Sequence, residues 1–167
     1  MNIVLCGFMG SGKTTVGKLI AKLSGRKFVD TDELIVQNEK MSISDIFEKH
    51  GEQYFRDAEK AAVTQAASMQ NAVISTGGGV VLRADNVEIL KTSGRIFYLS
   101  VTAKTVLSRL KNDKSRPLLQ RDDKEKAVKE LMQERRERYL SAADCLVSCD
   151  NRTPKQIALE ILEKTNK

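Results

Sequence analysis

The sequence has no tryptophan, and aromatic residues make up only 5% of its 167 positions. So few rings leave little on which unpaired bases could stack, which weighs against nucleic acid as a partner despite a net charge of +6. The positive residues are scattered rather than gathered in one long basic run, and anionic small substrates account for the excess at least as well. There is one histidine, His50, and there are three cysteines, Cys6, Cys145 and Cys149. Neither their number nor their spacing supplies the ligands of a zinc site, so buried free thiols are expected, with Cys145 and Cys149 on one face of a strand. No apolar run approaches the roughly 20 residues of a membrane helix. The N-terminus has no basic region, apolar core or cleavage site of a signal peptide, so a cytoplasmic protein without a membrane partner is expected.

What is present is concentrated near the start. Gly7-Phe8-Met9-Gly10-Ser11-Gly12-Lys13-Thr14 fits the pattern G-x-x-x-x-G-K-[ST]. Ile3–Cys6 before it reads as a buried strand, and Val16–Leu23 after it has apolar residues at helical spacing. Strand, glycine loop and helix together make a phosphate site. Backbone N–H groups from Gly10 to Thr15 converge on the phosphates of a nucleotide, and the helix N-terminus adds partial positive charge. Lys13 would reach the β- and γ-phosphates, and the Thr14 hydroxyl would ligate Mg²⁺.

The rest of the chain alternates. Strand-like segments fall at Asn2–Cys6, Lys27–Val29, Ala72–Ser75, Arg95–Ser100 and Cys145–Ser148. Amphipathic stretches lie between them at Ile43–Phe47, Gln53–Ser68, Val87–Leu90, Ala103–Leu110 and Lys124–Leu140. A last helix, Pro154–Lys164, is capped by Thr153. This alternation predicts an α/β fold with a parallel sheet covered on both faces and one domain over 1–167. Ligands of such sheets gather at the carboxyl ends of the strands. Residues 111–124 are polar, charged and broken by Pro117; they read as a surface loop or as a mobile lid carrying an arginine to the phosphates.

Three further clusters sit where chemistry would be placed. Asp30-Thr31-Asp32 follows the second strand: one acid could serve the magnesium shell and the other a substrate hydroxyl, while Asp30, Thr31 or Asp32 could cap a helix. Arg56 and Glu59 are three apart on a helix, and read alone they predict an exposed ion pair, although arginine also suits bidentate capture of a carboxylate. Gly77-Gly78-Gly79 follows the third strand and allows backbone N–H groups close to a ligand. That strand ends in Ser75 where many nucleotide-binding loops of this kind have a magnesium-binding aspartate, which points to Asp30 instead. Glu134-Arg135-Arg136-Glu137-Arg138-Tyr139 is a largely solvated face, and charge alone does not say which arginine turns inward.

Taken in order, G-F-M-G-S-G-K-T, D-T-D, G-E-Q-Y-F-R, S-T-G-G-G, S-R-P-L-L and E-R-R-E-R-Y resemble the shikimate kinase family over nearly the whole chain. The resemblance implies a three-layer α/β/α P-loop kinase fold with five parallel strands ordered 2-3-1-4-5, a lid at about 111–124 and a substrate-binding region at about 31–60. It implies a monomer that phosphorylates the 3-hydroxyl of shikimate with ATP and Mg²⁺, in the pathway to chorismate. By position, it makes Asp32 the group that binds the shikimate hydroxyls and a candidate base, with Asp30 and Thr14 in the magnesium shell. Arg56 and Arg135 would hold the shikimate carboxylate, and Gly77, Gly78 and Gly79 would supply backbone contacts. Lys13 and Arg116 would act on the transferring phosphate, and Arg109 and Arg152 would flank adenine. The rivals are a kinase for another polyol acid such as gluconate, a nucleic-acid-stimulated ATPase, and a regulatory GTPase. The last lacks the required N-K-x-D and D-x-x-G.

Overall fold

The computed structural model describes residues 1–166; Lys167, the last residue of the expected domain, lies outside the described residues. Five parallel strands, β1 (Asn2–Cys6), β2 (Lys27–Asp30), β3 (Ala72–Ser75), β4 (Gly94–Ser100) and β5 (Cys145–Ser148), form one sheet in the order β2-β3-β1-β4-β5. The order and the alternation match the expectation. β1 and β3 are buried along their whole length, as strands covered on both faces must be.

Seven helices complete the layers: α1 (Lys13–Ser24), α2 (Thr31–Glu39), α3 (Ile43–Ser68), α4 (Ala84–Ser93), α5 (Ala103–Arg109), α6 (Lys124–Ala142) and α7 (Pro154–Thr165). α1 packs on α7, and α3 on α4. The sequence pattern showed α3 as two separate stretches. The chain joins them into one run bent at Gly51, whose φ of 82° breaks the helical geometry. α2 carries no clear sequence signal of its own beyond its cap. The Asp30 carboxylate accepts from the N–H groups of Asp32 and Glu33 and so starts the helix at the end of β2. α7 has the predicted Thr153 cap, closed as a reciprocal box with Gln156. Among the described residues no helix is long and apolar enough to cross a membrane.

The core is built of Ile, Val and Leu from the strands and the inner faces of α1, α3 and α7. Cys6 and Cys149 are buried in it and Cys145 is half-buried; burial pushes the Cys6 thiol up to about 12 and Cys149 up to about 11, so both stay protonated and apolar in character. A buried polar side chain ties two elements together at the edge of this core. The Asn2 amide donates to the Met69 carbonyl at 2.7 Å, and its carbonyl accepts from Ala72 N–H at 2.9 Å. It thereby fixes the turn from α3 into β3. Asn2→Ala strands both partners and should lower unfolding free energy by about 2–4 kcal/mol, read as a lower urea midpoint at unchanged slope.

Candidate active site

The phosphate loop, the two acids and the three glycines follow the carboxyl ends of β1, β2 and β3, while Arg56 and Arg135 come from α3 and α6. β1 is flanked by β3 on one side and β4 on the other, so the chain reverses its direction of winding there and leaves a crevice above the sheet. The loop after β1 fills that crevice. Gly10 and Gly12 have φ of 73° and 94°, which a side chain would disfavour. Lys13 Nζ turns back over the loop and donates to the carbonyls of Gly7 at 2.7 Å and Phe8 at 3.0 Å. Thr14 and Thr15 are exposed at the first turn of α1. A cleft of about 240 Å³ opens beside them, bordered by Lys13, Thr14, Asp30, Asp32, Gly77, Gly78 and Arg116.

The two acids after β2 differ in surroundings. Asp30 caps α2 with one oxygen and accepts from the Thr14 hydroxyl with the other at 3.3 Å. Asp32 is more enclosed, and burial raises its pKa; nearby Asp30 raises it further, while Lys13 and Arg116 oppose the shift. Arg116 is exposed in the segment between α5 and α6. Its Nε lies 3.3 Å from Asp113, and its charge still reaches Asp32 and Lys13.

The glycine turn explains its own composition. A Cβ on Gly77 would lie 2.6 Å from Asp32 Oδ1, and one on Gly79 2.9 Å from an Arg56 nitrogen. A Cβ on Gly78 would face Arg135 Nη1 at 3.6 Å. Sequence reasoning took the missing side chains as room for a ligand against the backbone. The structure adds a second cause: Asp32, Arg135 and Arg56 lie against three successive residues of the turn.

Two arginine questions left by the sequence are resolved by packing. Arg135 turns inward, half-buried above the Phe8 ring at 6.0 Å, whereas Arg136 and Arg138 are exposed. Arg56 does not form the exposed pair that the spacing alone predicts. Glu59 is only 2% exposed and binds Arg56 at 2.9 Å, because this face of α3 lies against the turn that follows the glycines. Burial raises the Glu59 pKa and the arginine opposes the shift.

Arg109 and Arg152 stand apart from this cluster. They border a second cleft of about 630 Å³ between the starts of α5 and α7. Arg109 donates to the Gly10 carbonyl at 2.9 Å, which ties that cleft to the phosphate loop, and Arg152 pairs with Glu160 and donates to Ser148 O. Sequence reasoning offered Thr31 only as a helix cap and gave Tyr139 no role at the site. Both are buried and bonded to the glycine turn, and the charged residues beside them in sequence drew the assignment instead.

A family model described as shikimate kinase matches residues 9–166. A shikimate kinase of Caldanaerobacter subterraneus is 45% identical over 161 residues, covering 96% of this chain and 94% of that protein. The chain belongs to the shikimate kinase family. A shikimate kinase from Acinetobacter baumannii, solved in complex with shikimate, superposes with a TM-score of 0.92 at 37% identity, covering 98% of this chain and 91% of that one. The family's enzyme from Aquifex aeolicus gives 0.86 at 38% identity, covering 99% and 96%. A gluconokinase from Sinorhizobium meliloti, at 0.58 and 16% identity, shares the fold alone.

Burial lowers the Lys13 pKa to about 8, with Arg116 lowering it further and Asp32 and Asp30 opposing. Below pH 8 the side chain is an ammonium and attracts phosphate; above it the neutral amine does not. A nucleotide phosphate bound beside it would restore the charge and take up a proton. ATP affinity should therefore weaken about tenfold between pH 7 and pH 9. Calorimetry at pH 8.5 in buffers of different ionisation enthalpy should register the uptake.

Proposed function

We propose that the chain transfers the γ-phosphoryl group of ATP to the 3-hydroxyl of shikimate, giving shikimate 3-phosphate and ADP on the route to chorismate. The observation that carries the reading is the placement of Asp32, Arg135 and Arg56 against Gly77, Gly78 and Gly79, beside the phosphate loop and Lys13. Two guanidinium groups and one carboxylate match a small hydroxy acid: the arginines pair with its carboxylate, and Asp32 accepts from its hydroxyl.

ATP would lie on the loop, with its base between Arg109 and Arg152. The Thr14 hydroxyl and an Asp30 oxygen, 3.3 Å apart at the edge of the cleft, are hard oxygen donors with space beside them for waters and phosphate, which suits Mg²⁺. When bound, that ion supplies neutralisation of the β- and γ-phosphate charge. Arg56 and Arg135 fix the acid so that its 3-hydroxyl oxygen points at the γ-phosphorus. That oxygen forms the new bond to phosphorus as the bond to the β,γ-bridging oxygen breaks. The hydroxyl proton passes late to Asp32, so orientation matters more than basicity. Lys13 and Arg116 stabilise the charge on the transferring group.

We assign residues 111–124 as a lid that closes with Arg116 over the phosphates and excludes water. Residues 31–60 serve as the substrate-binding region of a single domain over 1–167, acting as a monomer in the cytoplasm.

The test is ADP release from MgATP with shikimate, with gluconate and with single-stranded DNA. Release that depends on shikimate alone supports the assignment; dependence on either of the others overturns it. Arg56→Lys keeps the charge but loses the bidentate fork, so KM for shikimate should rise by about tenfold or more while KM for ATP stays near its original value. Asp32→Asn should lower kcat with ATP binding almost intact. Collapse of ATP binding in a fluorescence titration would instead put Asp32 in the metal shell.

A further inference from the structure

The glycine turn is gripped from two sides by buried hydroxyl groups that belong to different parts of the fold. On one side Thr31, fully buried at the start of α2, accepts from the Gly77 N–H at 3.0 Å. On the other, Tyr139 of α6 donates its hydroxyl proton to the Gly78 carbonyl at 2.7 Å. Tyr139 is 1% exposed, and its ring stacks on Tyr98 of β4 with centroids 5.1 Å apart, so the hydroxyl position is set by the sheet beneath it. Arg135, one helical turn earlier on α6, meets the same glycine: a Cβ on Gly78 would lie 3.6 Å from Arg135 Nη1 and 3.7 Å from the Tyr139 hydroxyl oxygen. A phenol can accept from a guanidinium and donate to a carbonyl at once, and phenylalanine can do neither.

We infer that Thr31 and Tyr139 are positioning residues that clamp the Gly77–Gly79 turn and thereby set where Asp32, Arg135 and Arg56 meet an acidic substrate. The inference rests on the proposed reaction and deepens it. Thr31 sits between Asp30 and Asp32, so its bond to Gly77 fixes the turn relative to the carboxylate that receives the hydroxyl. Tyr139 fixes the next residue of the turn relative to the guanidinium that receives the carboxylate. The distance between the two ends of the substrate site is thus determined by two neutral hydrogen bonds rather than by the charged groups themselves. Burial pushes the Tyr139 phenol up to about 12, with Arg135 opposing, so the donor proton is kept across the working pH range.

The test pairs a deletion with a conservative control at each hydroxyl. Tyr139→Phe should raise KM for shikimate about tenfold, with KM for ATP within about twofold. In an Arg135→Ala background the same change should have much less effect, because the guanidinium it positions is gone. Thr31→Val removes the acceptor at equal volume and should raise KM for shikimate while Thr31→Ser restores it. Amide hydrogen exchange at Gly77 should speed up in Thr31→Val and not in Thr31→Ser. A purely structural role would lower thermal stability, move both KM values together and leave the Tyr139 and Arg135 effects additive; that pattern would overturn the clamp. If Tyr139→Phe does not fold, the Thr31 pair decides by the same criteria. A wild-type chain that releases no ADP with shikimate would overturn the substrate reading and this inference with it. A wild-type chain that does, with KM for shikimate unchanged in Tyr139→Phe and Thr31→Val, would overturn the clamp alone.

Discussion

The site depends on one doubled contact between neighbouring strands. Thr76, the first residue beyond β3, donates both its backbone N–H and its hydroxyl to the Leu5 carbonyl of β1, each at 3.0 Å. Parallel pairing would otherwise end at Ser75. The extra bond carries the registration of the two strands one residue further, into the start of the glycine turn. The phosphate loop begins only two residues after Leu5. The two loops therefore cannot drift apart without breaking buried hydrogen bonds, and a Cβ on Gly78 would come within 3.8 Å of the Gly7 carbonyl. Phosphoryl transfer needs donor and acceptor in line at near contact, and here that proximity is a property of the sheet.

Charge in the cleft is arranged around this fixed spacing. Lys13 and Asp32 are pulled by burial towards their neutral forms, and each opposes that shift in the other. Neither is neutralised by a direct partner, which leaves both able to respond to phosphate or to a hydroxyl. Arg56 is treated differently. Buried Glu59 accepts from Nη1, the nitrogen that also comes nearest Gly79, and this bond holds the guanidinium plane, with Glu52 3.7 Å from Nη2. A guanidinium has five donors, so one can be spent on orientation without ending its capacity for a carboxylate.

The strands were legible as short apolar runs alternating with amphipathic stretches, which predict a parallel sheet covered on both faces; their order was not legible in those runs and came from the family resemblance. The loop after β1 and the acids after β2 were legible because their residue types are costly anywhere but at strand ends. α2 was not. It is nine residues long, and its start is defined by Asp30, which the sequence offers as a cap only beside its reading as a magnesium-shell acid. The inward arginine was not legible from charge, since Glu134 to Arg138 repeats both signs. It follows from α6 placing Arg135 one turn before Tyr139, which the core holds. The fate of Glu59 was misjudged because i,i+3 spacing says that two charges meet, not whether water reaches them.

Rigid and loosely held parts divide the labour. The strand ends, the glycine turn, Thr31 and Tyr139 are tied by buried hydrogen bonds between elements distant in sequence. The segment between α5 and α6 is tied mainly to itself: Ser115 and Arg116 to Asp113, Gln120 to the Lys114 carbonyl, Arg121 to Asp123, all exposed. Exposed contacts of this kind contribute little stability, which is what the lid proposed for this segment requires. Leu118 and Leu119 pack partly on the core. An enzyme of this kind must hold the acceptor site still while admitting a nucleotide from solvent. Buried hydroxyls tie the glycine turn to the sheet and to α6, whereas the segment proposed as the lid is exposed and bonded mainly to itself, so the two demands would fall on separate residues.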